Sequence, residues 1–474
     1  MIEQQKPVHS YAEGAEIHDE CGVFGLFGVE NAANLCYYGL HALQHRGQES
    51  CGIVCVDENR EFHRAKGEGL VAEVFTDKIL SGLHGRNAIA HVRYSGGDKG
   101  LENVQPFYFR HNTGNFALAI NGSFVNAREL TRYLENKNCL FQSTSDCELL
   151  AHLVKKDRGG VKHRIQNIID ALNMIEGAFA FVILSEKRLY CARDKYGLHP
   201  LSIGRLNDGY VVSSETCGLD AVGAEYIRDV EPGEIVIIDD EGMHSVDYSH
   251  FKHHYMCAME YIYFARPDSD IEGQNVHAYR KESGRILYRE QPVDADIVIG
   301  VPDSSLSAAV GYSEESGIPY EMGLIKNKYV GRTFIQPSQD LREKGVRMKL
   351  SAVRSIVKGK RVVVIDDSIV RGTTSRRIIN LIREAGAKEV HMRIASPPYA
   401  HPCFYGVDTA TYDELVASHM SIDEIRKMIG ADSLGFLSVE GLYKSGRRNE
   451  LCVACFSGHY PTSLYGALDE VVKK

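Results

Sequence analysis

The sequence predicts two parts of different fold class, an α+β part followed by an α/β part. In residues 21–248, short apolar or alternating segments are separated by Gly, Asn and Asp, a pattern typical of antiparallel sheets. From about residue 271, apolar strands alternate with turns and amphipathic helices, which predicts a parallel sheet with crossover helices. A chain of 474 residues exceeds one ordinary hydrophobic core, so two or three domains are expected.

Composition and charge exclude several classes of protein. The net charge of −9 argues against general binding to nucleic acid or to an anionic membrane. No apolar stretch approaches the roughly 20 residues that span a bilayer, and the start of the chain has no signal-peptide hydrophobic region. Twelve cysteines are too sparse for a secreted disulfide scaffold, so we expect a reduced, cytoplasmic protein with thiol or metal chemistry.

Each element follows from its local pattern. In the first part, strands are predicted for CGVFGLFG, CGIVCV, NAIAHVRYS, FALAINGS, GAFAFVILS, RLYCARD, GYVVSSE and GEIVIID. Helices are expected near residues 127–135 and 146–157, and FKHHYMCAMEYIYFARPDS joins the two parts. In the second part, ADIVIGVP and KRVVVIDDS each precede a helical segment, and EVHMRIASPP forms a further strand.

Cys21 is the first residue of the first predicted strand, and the segment before it is polar and patternless. If residues 1–20 are removed as a leader, the thiol of Cys21 gains its own α-amine, a base with a reference pKa near roughly 8. Nucleophile and general base would then belong to one residue. The alternative is a buried strand cysteine that follows a ragged tail.

The segment RVVVIDDSIVRGTTSRRII is the sharpest signal of the second part. An apolar strand ends in Asp366 and Asp367, where α/β folds bind ligands and where carboxylates can accept hydrogen bonds from two sugar hydroxyls. Backbone amides and hydroxyls at the start of the next helix suit a phosphate; they belong to Gly372, Thr373, Thr374 and Ser375. The alternative is an acidic turn followed by a Ser/Thr N-cap.

This segment closely resembles the phosphoribosyl pyrophosphate (PRPP) signature of type I phosphoribosyltransferases. The resemblance implies that the two aspartates hold the ribose hydroxyls, and that the loop from Arg371 to Ser375 binds the 5′-phosphate. It also makes VPDSS, with Asp303 and Ser304, the candidate pyrophosphate loop. Ser304, Asp366 and Asp367 are then the candidate Mg²⁺ ligands. Ser305 replaces a usual glycine, which would strain the backbone if that position needs a positive φ.

A basic stretch, residues 326–350, lies between these two motifs. Its lysines and arginines could close over a polyphosphate and exclude water, and Lys326 and Lys349 are the candidate PRPP contacts. The alternative is a solvated loop with scattered charge.

Four strings in the first part carry candidate chemistry. LQHRGQES places Arg46 on a polar turn, and HVRYS ends a strand with Arg93, which could clamp a substrate carboxylate. INGS offers the Asn121 amide and the Gly122 N–H to a developing oxyanion. STSDCE begins a helix with Asp146, which could pair with a substrate ammonium. Each string taken alone is typical of a turn or a cap.

Together with Cys21, these strings resemble the glutaminase domain of class II, N-terminal-nucleophile (Ntn) amidotransferases. The resemblance implies a four-layer α/β/β/α sandwich in which Cys21 attacks the side-chain amide of glutamine. Asn121 and Gly122 would form the oxyanion hole, and Arg46, Arg93 and Asp146 would bind glutamine. Gly96 stands where threonine is common, and His199 stands where arginine is usual.

CVAC, with Cys452 and Cys455, can supply two ligands of one metal site, but spacing alone does not identify the other two. The alternative is a pair of ordinary core cysteines. The whole chain resembles the amidophosphoribosyltransferase family, in the form with a propeptide and an iron–sulfur cluster. That resemblance implies a [4Fe–4S] cluster on Cys257, Cys403, Cys452 and Cys455.

The resemblance implies a propeptide at 1–20, a glutaminase domain at 21–255, and a phosphoribosyltransferase domain with the cluster ligands at 256–474. The expected reaction converts glutamine, PRPP and water to 5-phosphoribosylamine, glutamate and pyrophosphate, the first step of purine synthesis, with ammonia passed between the sites. Purine nucleotides are the expected inhibitors, and a homotetramer is the expected assembly. The alternatives are a sugar-phosphate aminotransferase and a PRPP-sensing regulator with a vestigial glutaminase.

Overall fold

The computed structural model describes residues 21–94, 100–112, 114–155, 164–327, 350–407, 409, 411–446 and 450–465. These residues divide into two compact units. The first unit comprises residues 21–279, 401–412 and 446–465, and the second comprises residues 280–400 and 413–445. The candidate leader (1–20), Gly96 and Lys349 lie outside the described residues. A compact unit need not be an independent folding domain, so the boundary expected at residues 255/256 stays a prediction.

Two antiparallel sheets form the centre of the first unit. Their strands are β1 (Cys21–Phe27), β2 (Ser50–Val56), β3 (Phe62–Glu68), β4 (Asn87–Arg93), β5 (Phe107–Phe109), β6 (Phe116–Phe124), β7 (Gly177–Ser185), β8 (Leu189–Arg193), β9 (Ser202–Leu206), β10 (Gly209–Ser213), β11 (Glu225–Asp229), β12 (Glu234–Asp239) and β13 (Gly242–Asp247). One sheet has the order β11-β9-β10-β1-β4-β2-β3, and the other has the order β13-β12-β8-β7-β6-β5.

Alternating side chains explain why these two sheets lie face to face. Val23 on β1 and Ile89 on β4 pack between the sheets, against Ala117 and Ala119 of β6. The intervening residues point outward; Phe24, for example, packs on the helical layer of the first sheet. A strand buried on both faces must be apolar throughout, which is why β1 and β7 are continuous apolar runs.

Helices cover the outer face of each sheet. In the first unit they are α1 (Ala32–Ala42), α2 (Val71–Val74), α3 (Asp77–Leu80), α4 (Ala127–Glu135), α5 (Asp146–Val154), α6 (Arg164–Leu172) and α7 (Thr216–Ala221), with a 3-10 turn at Leu101–Asn103 and a π-helix at Glu260–Phe264. A further 3-10 turn, Tyr412–Glu414, begins at the last residue of a first-unit segment and ends in the second unit. Helix α1 packs on the first sheet, and α4, α5 and α6 pack on the second. The four-layer α/β/β/α sandwich is therefore confirmed.

A four-stranded parallel sheet forms the centre of the second unit. After α8 (Val276–Glu290) its elements are β17 (Ile297–Gly300), α9 (Leu306–Ser316), α10 (Arg354–Val357), β20 (Arg361–Asp366), α11 (Thr373–Glu384), β21 (Glu389–Ile394), α12 (Val416–His419), α13 (Ile422–Ile429), β22 (Ser433–Phe436) and α14 (Val439–Ser445). The strand order is β17-β20-β21-β22, and each pair is parallel. The predicted parallel sheet with crossover helices is confirmed.

Short elements complete both units. In the first unit, β14 (Met256–Cys257) pairs with β23 (Leu451–Cys452), β15 (Asp270–Ile271) pairs with β16 (Gln274–Asn275), and α15 spans Ala454–Ser457. In the second unit, β18 (Leu324–Lys326) pairs with β19 (Leu350–Ala352). Within the described residues, no helix is both long and apolar enough to cross a bilayer.

Candidate active sites

Three polar side chains are directed into the space between the two sheets of the first unit. Because side chains alternate along a strand, Cys21 shares the inward face of β1 with Val23, and Arg93 shares that of β4 with Ile89. Cys21 lies directly opposite Arg93 in the register of β1 and β4. On β6, Asn121 follows the inward residues Ala117 and Ala119. The fold therefore directs the predicted nucleophile, carboxylate clamp and oxyanion donor into one space.

The Asn121 side chain is suited to an incoming ligand. It is fully buried, yet neither its amide nitrogen nor its amide oxygen has a hydrogen-bond partner among the described residues. Leaving such groups unpaired in the interior is costly, so they mark a position that a ligand is expected to fill.

Gly122 is required at its position for two reasons. Its φ is +147°, and a Cβ would lie 2.1 Å from the Ala178 carbonyl oxygen and 2.7 Å from the Phe179 Cα. Neither backbone atom can move aside cheaply. Only glycine therefore allows β6 to keep the course that places Asn121 and the Gly122 N–H side by side.

The predicted glutamine clamp is held from two directions. Arg93 donates from Nη1 to the Asn103 carbonyl oxygen at 3.1 Å, and Asp146 accepts from the Phe124 N–H at 2.8 Å. Asp146 is the first residue of α5, whose N-cap Ser145 accepts from the Cys147 N–H. Burial is the main cause that raises the pKa of the Cys147 thiol, and the nearby Cys21 contributes to the rise. Cys21 and Asp146 therefore both lie near Cys147.

Arg46 lies in a different environment from the one expected. It is buried, and it donates from Nε to the Cys21 carbonyl oxygen at 3.0 Å. Its Nη1 lies 2.7 Å from Glu215 and 2.9 Å from Glu260, and its Nη2 lies 2.6 Å from Glu260. These donors serve acceptors of the chain itself, which gives Arg46 a role in anchoring Cys21; its contact with glutamine stays a prediction.

The two carboxylates around Arg46 are charged despite their burial. Burial alone would raise the pKa of Glu215, but His45 and Arg46 together hold it below its ordinary value. Burial also opposes ionisation of Glu260, and Arg46 is the main group that lowers its pKa. A buried cation paired with two carboxylates leaves one negative charge, and the His45 ring lies 2.7 Å from Glu215.

In the second unit, the parallel sheet brings the two predicted PRPP motifs to one edge. Gly300 of β17 is in register with Ile365 of β20, and the Val301 N–H donates to the Ile365 carbonyl oxygen. The carboxyl ends of the two strands therefore meet, as ligand sites of such sheets require. Asp366 and Asp367 are buried at this edge.

Hydroxyl groups from the neighbouring loop contact both aspartates. The Ser304 hydroxyl donates to Asp367, and the Ser305 hydroxyl donates to Asp366 at 3.3 Å. The φ of Ser305 is −91°, so the positive φ that would strain a serine is not present. Ser304, Asp366 and Asp367 thus bring together oxygen atoms of the kind that Mg²⁺ prefers, and the predicted ligand set fits that ion.

The phosphate loop follows the acid pair and begins α11. Gly372 is the N-cap with φ +72°, and the N–H groups of Thr373, Thr374 and Ser375 form the first turn of the helix, where no intrahelical carbonyl is available to them. Arg371, which precedes this turn, forms an ion pair with Glu414 at 3.1 Å.

Of the two lysines predicted to contact PRPP, Lys326 lies within the described residues. It pairs with Asp303 at 2.9 Å across exposed surface. Lys349 and most of the predicted lid lie outside the described residues.

The four predicted cluster cysteines converge in the first unit. Cys257 is in register with Cys452 in the pair β14–β23. Burial raises the pKa of the Cys257 thiol well above its usual value, and Cys452, Cys403 and Cys455 all lie near enough to raise it further. Within the described ranges these sulfurs do not form a group close enough to share one ion. Four thiols that converge with wider spacing fit a cluster, in which each thiolate binds a different iron.

His199, one of the residues that depart from the family pattern, connects two of these cysteine segments. Its Nε2 lies 3.0 Å from the carbonyl oxygen of Tyr405, whose N–H donates to the Cys403 sulfur. Its Nδ1 lies 3.8 Å from Glu260, and the preceding Leu198 accepts from the Cys257 N–H. A histidine at this position therefore has a structural role beside the cysteines.

Sequence reasoning missed several residues of both sites. Glu215 and Glu260, which hold Arg46, lie far from it in sequence and carry no local signal. His91 could have been found, because it shares the inward face of β4 with Arg93. Ser368, which donates to Asp367 at 2.8 Å, was also missed.

Comparisons with known proteins cover nearly the whole chain. Family models described as "Glutamine amidotransferase domain" and "Phosphoribosyl transferase domain" match residues 91–221 and 280–399. The amidophosphoribosyltransferase of Bacillus subtilis (strain 168) is 58% identical over 463 residues, with 96% of each chain covered. That of Staphylococcus aureus (strain Mu50 / ATCC 700699) is 49% identical over 458 residues, covering 95% of this chain and 92% of the relative.

A solved structure gives the same result. The B. subtilis glutamine PRPP amidotransferase complexed with ADP and GMP is 57% identical, with a TM-score of 0.89, and the match covers 94% of this chain and 98% of that one. Identity at this level extends over nearly the whole chain and includes both matched domains. The chain belongs to the amidophosphoribosyltransferase family.

Proposed function

We propose that this chain uses two separate sites to transfer the amide nitrogen of glutamine to PRPP, the reaction of its family in purine biosynthesis. The observation that carries the proposal is the coexistence of two prepared sites. One is the space between the two sheets, which contains Cys21 and an unpartnered Asn121 amide. The other is the acid pair and phosphate loop at the edge of the parallel sheet.

At the first site, the Cys21 sulfur attacks the side-chain carbonyl carbon of glutamine. The thiol proton passes to the α-amine that removal of the leader exposes, and the carbonyl oxygen becomes an oxyanion. The Asn121 amide and the Gly122 N–H stabilise that charge, a contribution of about 10²–10³ in kcat for one such donor. The C–N bond then breaks, the α-amine returns the proton to the departing ammonia, and water hydrolyses the thioester to glutamate.

Two charged groups orient glutamine for this attack. Arg93, opposite Cys21 in the sheet, would bind the α-carboxylate, and Asp146 would bind the α-ammonium. Arg46 acts indirectly, because its hydrogen bond to the Cys21 carbonyl oxygen fixes the backbone of the nucleophile. Arg46 is therefore a positioning residue in this proposal.

At the second site, ammonia attacks C1 of the ribose, the bond from C1 to the pyrophosphate oxygen breaks, and one proton is released. Asp366 and Asp367 hold the ribose hydroxyls, and the first turn of α11 holds the 5′-phosphate. Asp303, Ser304, Lys326 and Lys349 are the proposed contacts of the pyrophosphate. A Mg²⁺ ion held by Ser304, Asp366 and Asp367 would supply positive charge to the departing pyrophosphate.

The four converging cysteines support a [4Fe–4S] cluster as a structural cofactor. Cys257, Cys403, Cys452 and Cys455 come from three chain segments, so a shared cluster would tie these segments together. Burial raises the pKa of the Cys452 thiol to about 12, so ligand binding has to displace protons from these thiols.

Regulation rests on a relative, and assembly rests on the family resemblance alone. The B. subtilis structure is described as complexed with ADP and GMP, which supports purine nucleotides as effectors of this chain. A homotetramer, a cytoplasmic location, cleavage after residue 20 and a domain boundary at residues 255/256 belong to the same proposal.

Reciprocal variants test the two-site proposal. Cys21→Ser should abolish phosphoribosylamine formation from glutamine while preserving formation from added ammonia. Asp366→Ala combined with Asp367→Ala should abolish phosphoribosylamine formation from glutamine and from ammonia but preserve basal hydrolysis of glutamine. Loss of all activities in both variants would contradict separate sites. A wild-type chain that binds PRPP but never turns it over would indicate a regulator instead.

A further inference from the structure

The backbone of β6 is held by side chains where it passes the space between the two sheets of the first unit. Among the described residues, β5 pairs with β6 only along Phe116–Leu118, so no strand covers the following residues of β6 on that side. The Ile120 N–H donates to Gln105 Oε1 at 2.7 Å, and the Ile120 carbonyl oxygen lies 3.1 Å from His91 Nε2. Both backbone groups of one residue are thus satisfied by buried side chains.

This residue immediately precedes the oxyanion donors. Farther along the same edge, the Phe124 N–H donates to Asp146. Because N–H groups alternate between the two edges of a strand, the Gly122 N–H, midway between Ile120 and Phe124, is directed to the same edge. Ile120 and Phe124, two residues before and after Gly122, are therefore held in place, while the Gly122 N–H faces the position of the ligand.

His91 can make this bond in only one form. A carbonyl oxygen can only accept, so Nε2 must carry a proton. Burial lowers the pKa of His91 to about 3, with the bond to Ile120 opposing and Arg93 assisting the shift. The ring therefore stays neutral at physiological pH with its proton on Nε2. It comes from β4 of the opposite sheet, so this bond links the strand of Arg93 to the strand of Asn121.

We infer that His91 and Gln105 are positioning residues that hold the Ile120 backbone and thereby fix the oxyanion hole of Asn121 and Gly122. This inference rests on the proposed glutaminase mechanism. Neither residue touches the substrate; each acts through the course of β6. A misplacement of the donors by about 1 Å is expected to cost about 10²-fold in rate.

Matched variants separate a positioning role from a general structural one. His91→Leu removes the donor while roughly keeping the volume, and His91→Gln keeps an N–H close to the position of Nε2. Gln105→Met removes the acceptor with little change in shape. We expect His91→Leu and Gln105→Met to lower kcat for glutamine hydrolysis by up to about 10²-fold, and His91→Gln to restore most of it. Ammonia-dependent activity should be unchanged in all three.

Binding of two inhibitors distinguishes a positioning role from a general structural one, because only one of the two inhibitors places an oxygen in the oxyanion hole. The γ-aldehyde analogue of glutamine adds the Cys21 thiol across its C=O bond, which forms a C–S bond and places an oxygen in the oxyanion hole. Glutamate forms no such adduct. His91→Leu should weaken binding of the aldehyde in proportion to the loss of kcat. The inhibition constant of glutamate and the KM for glutamine should stay unchanged.

Two results would overturn the inference. One is an unchanged kcat in both His91→Leu and Gln105→Met. The other is an equal weakening of glutamate binding and aldehyde binding in His91→Leu. The proposed function fails separately, because Asn121→Ala would then keep full glutaminase activity whatever the His91 variants show.

Discussion

The buried cation of the first unit gives the sharpest prediction about stability. Arg46→Met removes the bonds to the Cys21 carbonyl, to Glu215 and to Glu260. Glu215 keeps His45, the Arg266 N–H and the Ser269 hydroxyl. Among the described residues, Glu260 keeps the His199 ring, which lies 3.8 Å away and also lowers its pKa, but it loses Arg46, the main group that does so.

Removal of one partner from a buried ion pair costs about 3–5 kcal/mol, because the remaining charge stays in the interior. This is a large fraction of the 5–15 kcal/mol that stabilises an ordinary protein. Pulse proteolysis across a urea gradient measures it, with peptides from residues 21–279 quantified by mass spectrometry. Arg86→Met is the control, because Arg86 pairs with Glu30 on exposed surface, and its midpoint should not shift.

A double variant identifies the cause of the loss. If the unpaired Glu260 charge is responsible, Arg46→Met combined with Glu260→Gln should be more stable than Arg46→Met alone. The reasoning is refuted if Arg46→Met unfolds at the wild-type urea concentration, or if the double variant is no more stable than the single one.

Three further predictions follow from other contacts. Gly122→Ala should eliminate glutamine hydrolysis and preserve ammonia-dependent activity, because its Cβ would lie 2.1 Å from the Ala178 oxygen; coupled assays with either nitrogen source would show this, and a fully active variant would contradict it. His91 has a folded pKa of about 3, below its unfolded value, so wild-type stability should fall as pH drops below about 6.5. Relative to His91→Gln, wild type should lose unfolding free energy at a rate that approaches about 1.4 kcal/mol per pH unit, measured by urea titrations. Parallel curves of unfolding free energy against pH for the two proteins would rule this out. Cys257→Ser should abolish the visible absorbance and iron content of purified protein, and full retention of both would remove Cys257 from the ligand set.

The sequence predicted those features that depend on local pattern. The strand at residues 177–185 and the helix at residues 127–135 were predicted with the bounds that the structure gives. Their apolar periods are strong and end in clear turn residues. Helix α1 was missed, because its Ala, Gly, Cys and Tyr residues give it little amphipathic contrast.

Features that depend on distant residues could not be predicted. Arg46 follows a polar turn in sequence, but Glu215 and Glu260 from remote segments make it one of the largest fully buried side chains. The convergence of Cys257 with Cys452 likewise arises from pairing of two short strands, which spacing cannot reveal. The family resemblance identified these cysteines, whereas the residues themselves pointed only to CVAC.

The nucleophile of the first unit can be tested by one measurement. Protein mixed with glutamine, quenched in acid and digested should yield an N-terminal peptide that begins at Cys21 and carries a glutamyl group on sulfur. The account predicts this thioester peptide in wild type and its absence in Cys21→Ser. A preparation fully active with glutamine whose Cys21 peptide is never acylated, or is still joined to residues 1–20, would contradict it.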